Sequence, residues 1–394
     1  MTGRVRGWCP SLFEPMASGD GLLARVKPPL GRLSGEAARA LAAASRRRGN
    51  GQLDLTHRAA LQVRGLSEAS LPRFQEAMLA AGLAQADPAV ERRRNLVVSP
   101  LASPAGLALA IELERWIADD GALAALPSKF GFAVEAPGGD IGVQPGPQGW
   151  RIRLDGCATE GLTATPLAAV QAITRRFLAL AAESAEPSRR MAGLLRRHGP
   201  EAIFTGTGAR LVAAAAPPPP RPSRAGRLGS DGGFALGLPF GAFTAEDLGL
   251  AANLAERFAD GGLRTSPWRA LILAGVSDEA ALANAAQVAG FVVDPHDPRL
   301  SIIACTGAPG CASAHAPTRA DAAFIAARRP PGLVHLSGCA KGCAHPAPAA
   351  FTLVAAADGY GLVRDGRAAD PPERRGLTLP EAVQLLAAEP AEIP

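Results

Sequence analysis

Short apolar runs alternate along this chain with stretches whose apolar residues return every three or four positions, and most of the latter open on a helix-starting polar residue. Gly21 to Val26 reads as a strand, Ser34-Gly-Glu36 opens a helix through about Arg47, Leu61 to Val63 reads as a second strand, and Glu68 to about Ala81 as a second helix. Ser34 suits the N-cap, and Glu36 places a carboxylate in the first turn, where the helix dipole favours it. The same β-α-β-α order returns at Phe234 to Leu238, Thr244-Ala-Glu246-Asp247 through Phe258, Ala270 to Leu273 and Asp278 to about Val288. One offset of 210 residues relates the copies: Gly31 with Gly241, Ser34 with Thr244, Leu61 with Leu271, Gly65 with Gly275, Asp87-Pro88 with Asp297-Pro298, Trp150 with Tyr360, and Asp155-Gly156 with Asp365-Gly366. The pattern predicts an internally duplicated α+β chain.

Between the copies lies Ala213-Ala-Ala-Ala-Pro217-Pro-Pro-Pro-Arg-Pro222, followed by a Gly/Ser-rich tail to Gly233. A proline run is extended and a Gly/Ser tail flexible, so this stretch reads as a linker without chemistry of its own. Pro166 to Ala182 and Ser188 to Arg197 read as helices of the first half alone. The expected divisions are 1–86, 87–212, a linker at 213–232, 233–293 and 294–394.

At 394 residues, 47% hydrophobic and 20% charged, the chain is a folded protein of more than one domain. The first ten residues hold no apolar signal core, and no run of about 18 apolar residues occurs, so the expectation is a cytoplasmic chain that does not enter a membrane. The net charge of +5 rests on arginine, because lysine occurs only at Lys27, Lys129 and Lys341. One tyrosine and four tryptophans leave little for stacking on bases, which argues against a nucleic-acid partner.

Four of the six cysteines lie in two tight pairs, Cys305-x5-Cys311 and Cys339-x3-Cys343, each opening where an apolar run ends. Both pairs read as ligand loops at strand ends. Four thiolates on two Gly-rich loops can surround a 4Fe-4S cubane, since glycine lets the backbone close around the sulfides. Structural zinc favours knuckles of roughly two to four intervening residues, against the x5 spacing here. Disulfides need an oxidising compartment that nothing in the chain signals. Cys9 and Cys157 read as ordinary thiols.

The first half carries a basic constellation. Thr56, Arg58, Gln62 and Arg64 fall at even spacing, which on one continuous strand sends all four to one face. Arg94-Asn95 precedes the run Leu96-Val97-Val98, and Lys129 lies in Pro127-Ser-Lys129-Phe130-Gly131-Phe132. Arginine forks pair carboxylates in two-point contacts and lysine adds a point charge, so the group reads as a polycarboxylate pocket. In the second copy Thr56 and Arg58 become Ser266 and Trp268, so the cations belong to one half and the cysteines to the other. No catalytic acid or base stands out.

With both cysteine pairs, the Thr-x-Arg and Arg-Asn segments and Pro-x-Lys-Phe, the chain resembles the nitrite and sulfite reductase family over nearly its full length. The resemblance implies two ferredoxin-like half-domains forming one unit and two larger α+β modules around a tetrapyrrole. It makes Cys305, Cys311, Cys339 and Cys343 the cluster ligands and puts Arg58, Arg94 and Lys129 around the macrocycle. Where the reductases carry Lys-Phe-Lys, this chain has Lys129-Phe-Gly131. Losing the second cation weakens an oxyanion site and points to the branch whose substrate is the tetrapyrrole itself. For that branch the resemblance implies a monomeric oxidoreductase of monooxygenase type, acting on precorrin-3A with dioxygen and an external donor, an NADH-linked reductase or a ferredoxin. It also implies a mononuclear non-haem iron, for which His315, His335 and His345 beside the cysteine loops are the candidate ligands. The alternatives are a siroheme-dependent nitrite or sulfite reductase and a structural iron-sulfur or zinc protein.

Overall fold

A computed structural model describes residues 10–183, 188–214, 223–229 and 233–387. Its organising feature is an exchange of edge strands between the halves. The first half-domain sheet runs in the order Met16–Ser18, Gly21–Val26, Leu61–Leu66, Gln52–Leu55, and it is completed by Ala242–Thr244 from the second half. The second sheet runs Gly226–Leu228, Gly233–Gly237, Ala270–Leu273, Gly262–Thr265, completed by Arg32–Ser34 from the first. Each donated strand leads straight into a helix, Gly35–Arg48 or Ala245–Phe258, and the two helices pack together over one apolar core drawn from both copies. Ser34 accepts the Ala37 N–H, and Thr244 with Asp247 forms a complete capping box.

The repeat is written into the backbone as well. Leu30 and Phe240 both take left-handed φ (52° and 59°), as do Ala59 and Arg269 (55° and 62°), at the same offset. Such values disfavour residues with a Cβ, so their recurrence marks a conserved turn geometry between the copies. In the larger modules the shared topology outlasts the offset. Leu96–Val98, Phe132–Val134 and Ile141–Gly146 run parallel and are followed by antiparallel Gly149–Leu154 and Thr159–Thr163, with Arg210–Ala213 at the edge. Ile302–Ala304, Val334–Ser337 and Ala349–Ala356 are likewise parallel, followed by antiparallel Gly359–Gly366 and Arg374–Leu377. Leu96 to Ile302 is 206 residues and Phe132 to Val334 is 202, while Gly149 to Gly359 restores 210.

Several expectations are corrected. Strand Gln52–Leu55 escapes pattern reading because it is short and half polar. The helix expected from Glu68 begins at Leu71, since Ser67 and Ser70 close a hydrogen-bonded turn ahead of it. The helix Pro166–Ala182 is not confined to the first half, because Leu379–Ala387 follows the last strand of the second module in the same way. The expected 188–197 helix spans Met191–Phe204, broken at Gly199-Pro200. Within the expected linker, Gly226–Leu228 is a strand, and 215–222 lies outside the described residues.

His335 sits in the middle of strand Val334–Ser337, fully buried and edge-on to His345 at 5.6 Å between ring centroids. Neither of its ring nitrogens has a hydrogen-bond partner among the described residues. Burial, then His345 and Arg269, brings its pKa down to about 4. Between pH 6.5 and 4 the unfolded imidazole is protonated and the folded one is not, so the unfolded state binds the extra proton and stability falls as pH falls through that window. The expected loss is on the order of 3 kcal/mol, read as a falling urea midpoint, and His335→Phe should flatten that acid limb.

Candidate active site and cluster loops

The two cysteine loops leave the carboxyl ends of neighbouring parallel strands, Ile302–Ala304 and Val334–Ser337, where open α/β sheets gather their ligands. They are tied to each other. The Gly338 N–H points at Cys305 Sγ at 3.2 Å, the His315 N–H donates to Gly338 O at 2.9 Å, and Lys341 Nζ reaches Ser313 Oγ at 3.1 Å. Lys341 is otherwise exposed, so its observed partner is a hydroxyl of the opposite loop. Thr318 Oγ1 stands 3.6 Å from Cys305 Sγ and donates to Cys305 O at 2.8 Å. Cys305, Cys311 and Cys339 are half-buried and Cys343 is exposed. Partial loss of water around the Cys343 thiol, although the residue as a whole is exposed, then the neighbouring Cys339, Cys305 and Cys311, raises its pKa, which Lys341 partly offsets.

Four thiols sharing one locality, with an amide N–H already directed at a sulfur, fit the donor set of a cubane. Among the described residues no three or more His, Cys, Asp and Glu side chains converge to hold a single metal ion. A single ion draws its ligands into one tight shell, whereas a four-iron cluster spreads its thiolates over a wider circle. His315, His335 and His345 accordingly form no single-ion ligand set, and His335 is sealed inside its strand. Cys157 packs beside the first module's core, and Cys9 lies outside the described residues.

The cations gather in a recess of about 630 Å3, part of it open solvent, between the first half-domain and the first module. Among the described residues its lining holds Arg25, Lys27, Arg58, Arg94, Lys129 and Arg190 and no carboxylate. The sequence-based expectation of one continuous strand face is corrected. Residues 56–59 form a turn between Gln52–Leu55 and Leu61–Leu66, in which Thr56 Oγ1 accepts the N–H groups of Arg58 and Ala60. Thr56 therefore shapes the turn that aims Arg58, and Arg58 Nη1 stands 3.4 Å from Lys129 O. Gln62 stays on the strand and accepts from Arg25 Nη2 at 2.8 Å.

Asn95 is committed to the backbone of the Lys129 segment, donating to Ser128 O and Phe130 O at 3.1 Å while its Oδ1 accepts from Lys27. Arg94 is buried, held by Glu91 at 2.9 Å and Glu114 at 3.2 Å and donating to Lys27 O, so its charge is answered within the fold. Arg64 does not line the recess at all. It turns towards the Cys305–Cys311 loop. Among the described residues no carboxylate lies in ion-pair range of Arg58 or Lys129.

Three lining cations went unnoticed in the sequence. Arg25 and Lys27 share an alternation on one strand and its end, and lysine is rare enough here that Lys27 was a usable signal. Arg190 carried none, since tertiary carboxylates place it: buried Asp140 accepts from Arg190 Nε at 2.9 Å and from the Gly131 N–H at 3.0 Å, and Asp155 stands 3.4 Å from Arg190 Nη2. Loss of surrounding water, then Arg58, Arg269 and Arg25, brings the His57 pKa down to about 4, so its imidazole is neutral at neutral pH. Arg269 also donates to Ala344 O, one residue beyond Cys343, and so places one charge between the turn that holds His57 and the second cysteine loop.

The sequence profile of the nitrite/sulfite reductase ferredoxin-like half domain matches residues 14–81. A precorrin-3B synthase of Sinorhizobium sp is 33% identical over 92% of this chain and 83% of its own length. A ferredoxin–nitrite reductase of Synechococcus elongatus is 27% identical over 89% of this chain and 79% of its own. The structure of the Mycobacterium tuberculosis NirA protein superposes with a TM-score of 0.71 at 19% identity, covering 90% of this chain and 77% of that one, and so shares the fold. On the full-length relationship, with the duplicated fold built as described, this chain belongs to the nitrite and sulfite reductase family and, within it, to the precorrin-3B synthases.

Proposed function

We propose that the chain hydroxylates precorrin-3A at C20, with its ring A acetate closing a γ-lactone at C1, in the aerobic route to cobalamin. One atom of dioxygen enters the product and the other leaves as water, so each turnover consumes two electrons from an external donor together with two protons, drawn from the solvent where the donor carries none. The observation that carries the reading is the recess lined, among the described residues, by six cations and no carboxylate, in a chain 33% identical over 92% of its length to a precorrin-3B synthase. A macrocycle fringed with carboxylates suits such a lining, because each guanidinium or ammonium it meets is charge-complementary.

Arg58 and Lys129, which no carboxylate of the described residues neutralises, are the principal anchors, with Arg25, Lys27 and Arg190 beside them. Anchoring the periphery at several points fixes which meso carbon faces the oxidant. Asn95 holds the Lys129 segment in place through two backbone carbonyls, and Thr56 does the same for Arg58 through the turn. Gly131 lines the recess where the reductases carry a second lysine, and an added Cβ there would sit 3.2 Å from Asn95 O. Cys305, Cys311, Cys339 and Cys343 would hold a 4Fe-4S cluster, which when bound supplies electrons singly, as triplet dioxygen requires.

Incubation with precorrin-3A, a reductant and isotopically labelled dioxygen should give a product carrying one labelled oxygen. Siroheme bands in the purified protein, with sulfite or nitrite reduction and no labelled product, would move the assignment to a reductase. Arg58→Ala should weaken tetrapyrrole binding by about tenfold, or about 1.4 kcal/mol, while leaving the visible spectrum of the cluster unchanged, as followed by fluorescence or absorbance titration. Cys339→Ser should lose most iron and sulfide on analysis, and full retention of both would remove Cys339 from the ligand set.

A further inference from the structure

Arg64 is buried at the junction of the two halves. Its Nε and Nη2 close a two-point fork on Asp20 at 2.9 and 2.8 Å, and Nη2 also reaches Ser18 Oγ at 2.9 Å and the carbonyl of Gly310 at 2.5 Å. Its Nη1 stands 3.5 Å from Thr306 Oγ1 and 3.5 Å from Asp54 Oδ2. Thr306 follows Cys305 and Gly310 precedes Cys311, so one cation of the first half touches both ends of the loop that carries two thiols of the second.

The surroundings admit little displacement. Gly310 O also accepts from Ser18 Oγ at 2.6 Å and from the Gly19 N–H at 3.2 Å. A Cβ on Gly19 would lie 2.3 Å from Pro309 O, and one on Gly310 would lie 2.7 Å from Thr306 Cγ2. Arg319 pairs with Asp54 from the loop's own half, so two guanidiniums answer two carboxylates and the group is neutral as a whole. Buried ion pairs seldom stabilise a fold more than apolar residues of similar volume, so stability alone does not account for the arrangement.

We infer that Arg64 is a positioning residue for the Cys305–Cys311 loop and that its charge, balanced by Asp20, sets the reduction potential of the cluster held there. The inference rests on the four cysteines being cluster ligands. A cation close to the cluster stabilises the form that has gained an electron, and an anion disfavours it. The two members of the fork therefore act with opposite sign, which loosening of the loop does not imitate.

The test is a redox titration of the full-length holoprotein followed by electron paramagnetic resonance, with iron and sulfide counted for wild type, Arg64→Gln, Arg64→Lys and Asp20→Asn. At matched cluster content the midpoint should move negative in Arg64→Gln and positive in Asp20→Asn. Arg64→Lys should keep a near-wild-type potential but lose iron to a chelator several-fold faster, because an ammonium does not reproduce the fork. Unchanged potentials, or shifts of the same sign in Arg64→Gln and Asp20→Asn, overturn the inference. Should Arg64→Gln not fold, an Arg64→Lys protein that matches wild type in its rate of iron loss overturns it equally. A wild type lacking iron and sulfide sinks the ligand reading and this inference with it, whereas a loaded wild type with unresponsive variants sinks the inference alone.

Discussion

Everything in this molecule depends on the mutual donation of Arg32–Ser34 and Ala242–Thr244. A short edge strand leaves a row of backbone N–H and C=O groups unpaired, and here each half satisfies the other's edge. Neither half-domain sheet is complete without the other copy. Because each donated strand leads directly into a core helix, the exchange also fixes how Gly35–Arg48 lies on Ala245–Phe258, and with it the single apolar core beneath both sheets. The recess of the first half and the cysteine loops of the second thus belong to one body whose geometry the ladder sets.

Duplication supplied two equivalent scaffolds, and chemistry then divided between them. The parallel strands of the second module end in loops that bear thiols, while the corresponding strands of the first begin beside Asn95 and Lys129. The constant offset slips in just this region, falling from 210 to 206 and 202 before it is restored. Spacing is preserved through the interlocked half-domains and again at Gly149, and it slips across the segment that in the second half carries the cysteine loops. Arg64 crosses the divide to Gly310 O, and Arg269 within the second half reaches Ala344 O, each at a residue next to a cysteine.

Arginine serves two distinct purposes here, told apart by what answers its charge. Arg64 and Arg94 are buried against carboxylates and hold backbone in place. Arg58 with Lys129 faces the recess without such a partner among the described residues, which leaves their charge to be felt by a ligand. A guanidinium with five donors can bind a carboxylate and still reach a carbonyl, as Arg64 does; an ammonium lacks that planar fork.

The duplication, the α+β class, the helix starts at Ser34 and Thr244 and the two cysteine pairs were legible in the sequence, because capping, hydrophobic period and residue spacing are local properties of the chain. So was the concentration of cations in the first half. What each cation does was not legible, since even spacing looks the same on a continuous strand and across the tight turn at residues 56–59. The strand Gln52–Leu55 was hidden because it is short and half polar, and the exchanged edges because their partners lie about 190 or more residues away and pairing leaves no local mark. Arg190 enters the recess because Asp140 and Asp155 hold it there, and Arg64 reaches Gly310 only because the halves close on each other. The sequence by itself determined the paired cysteines and the charges; tertiary structure alone decided which charges remain unanswered, because neutralisation depends on what the fold brings within a few ångströms.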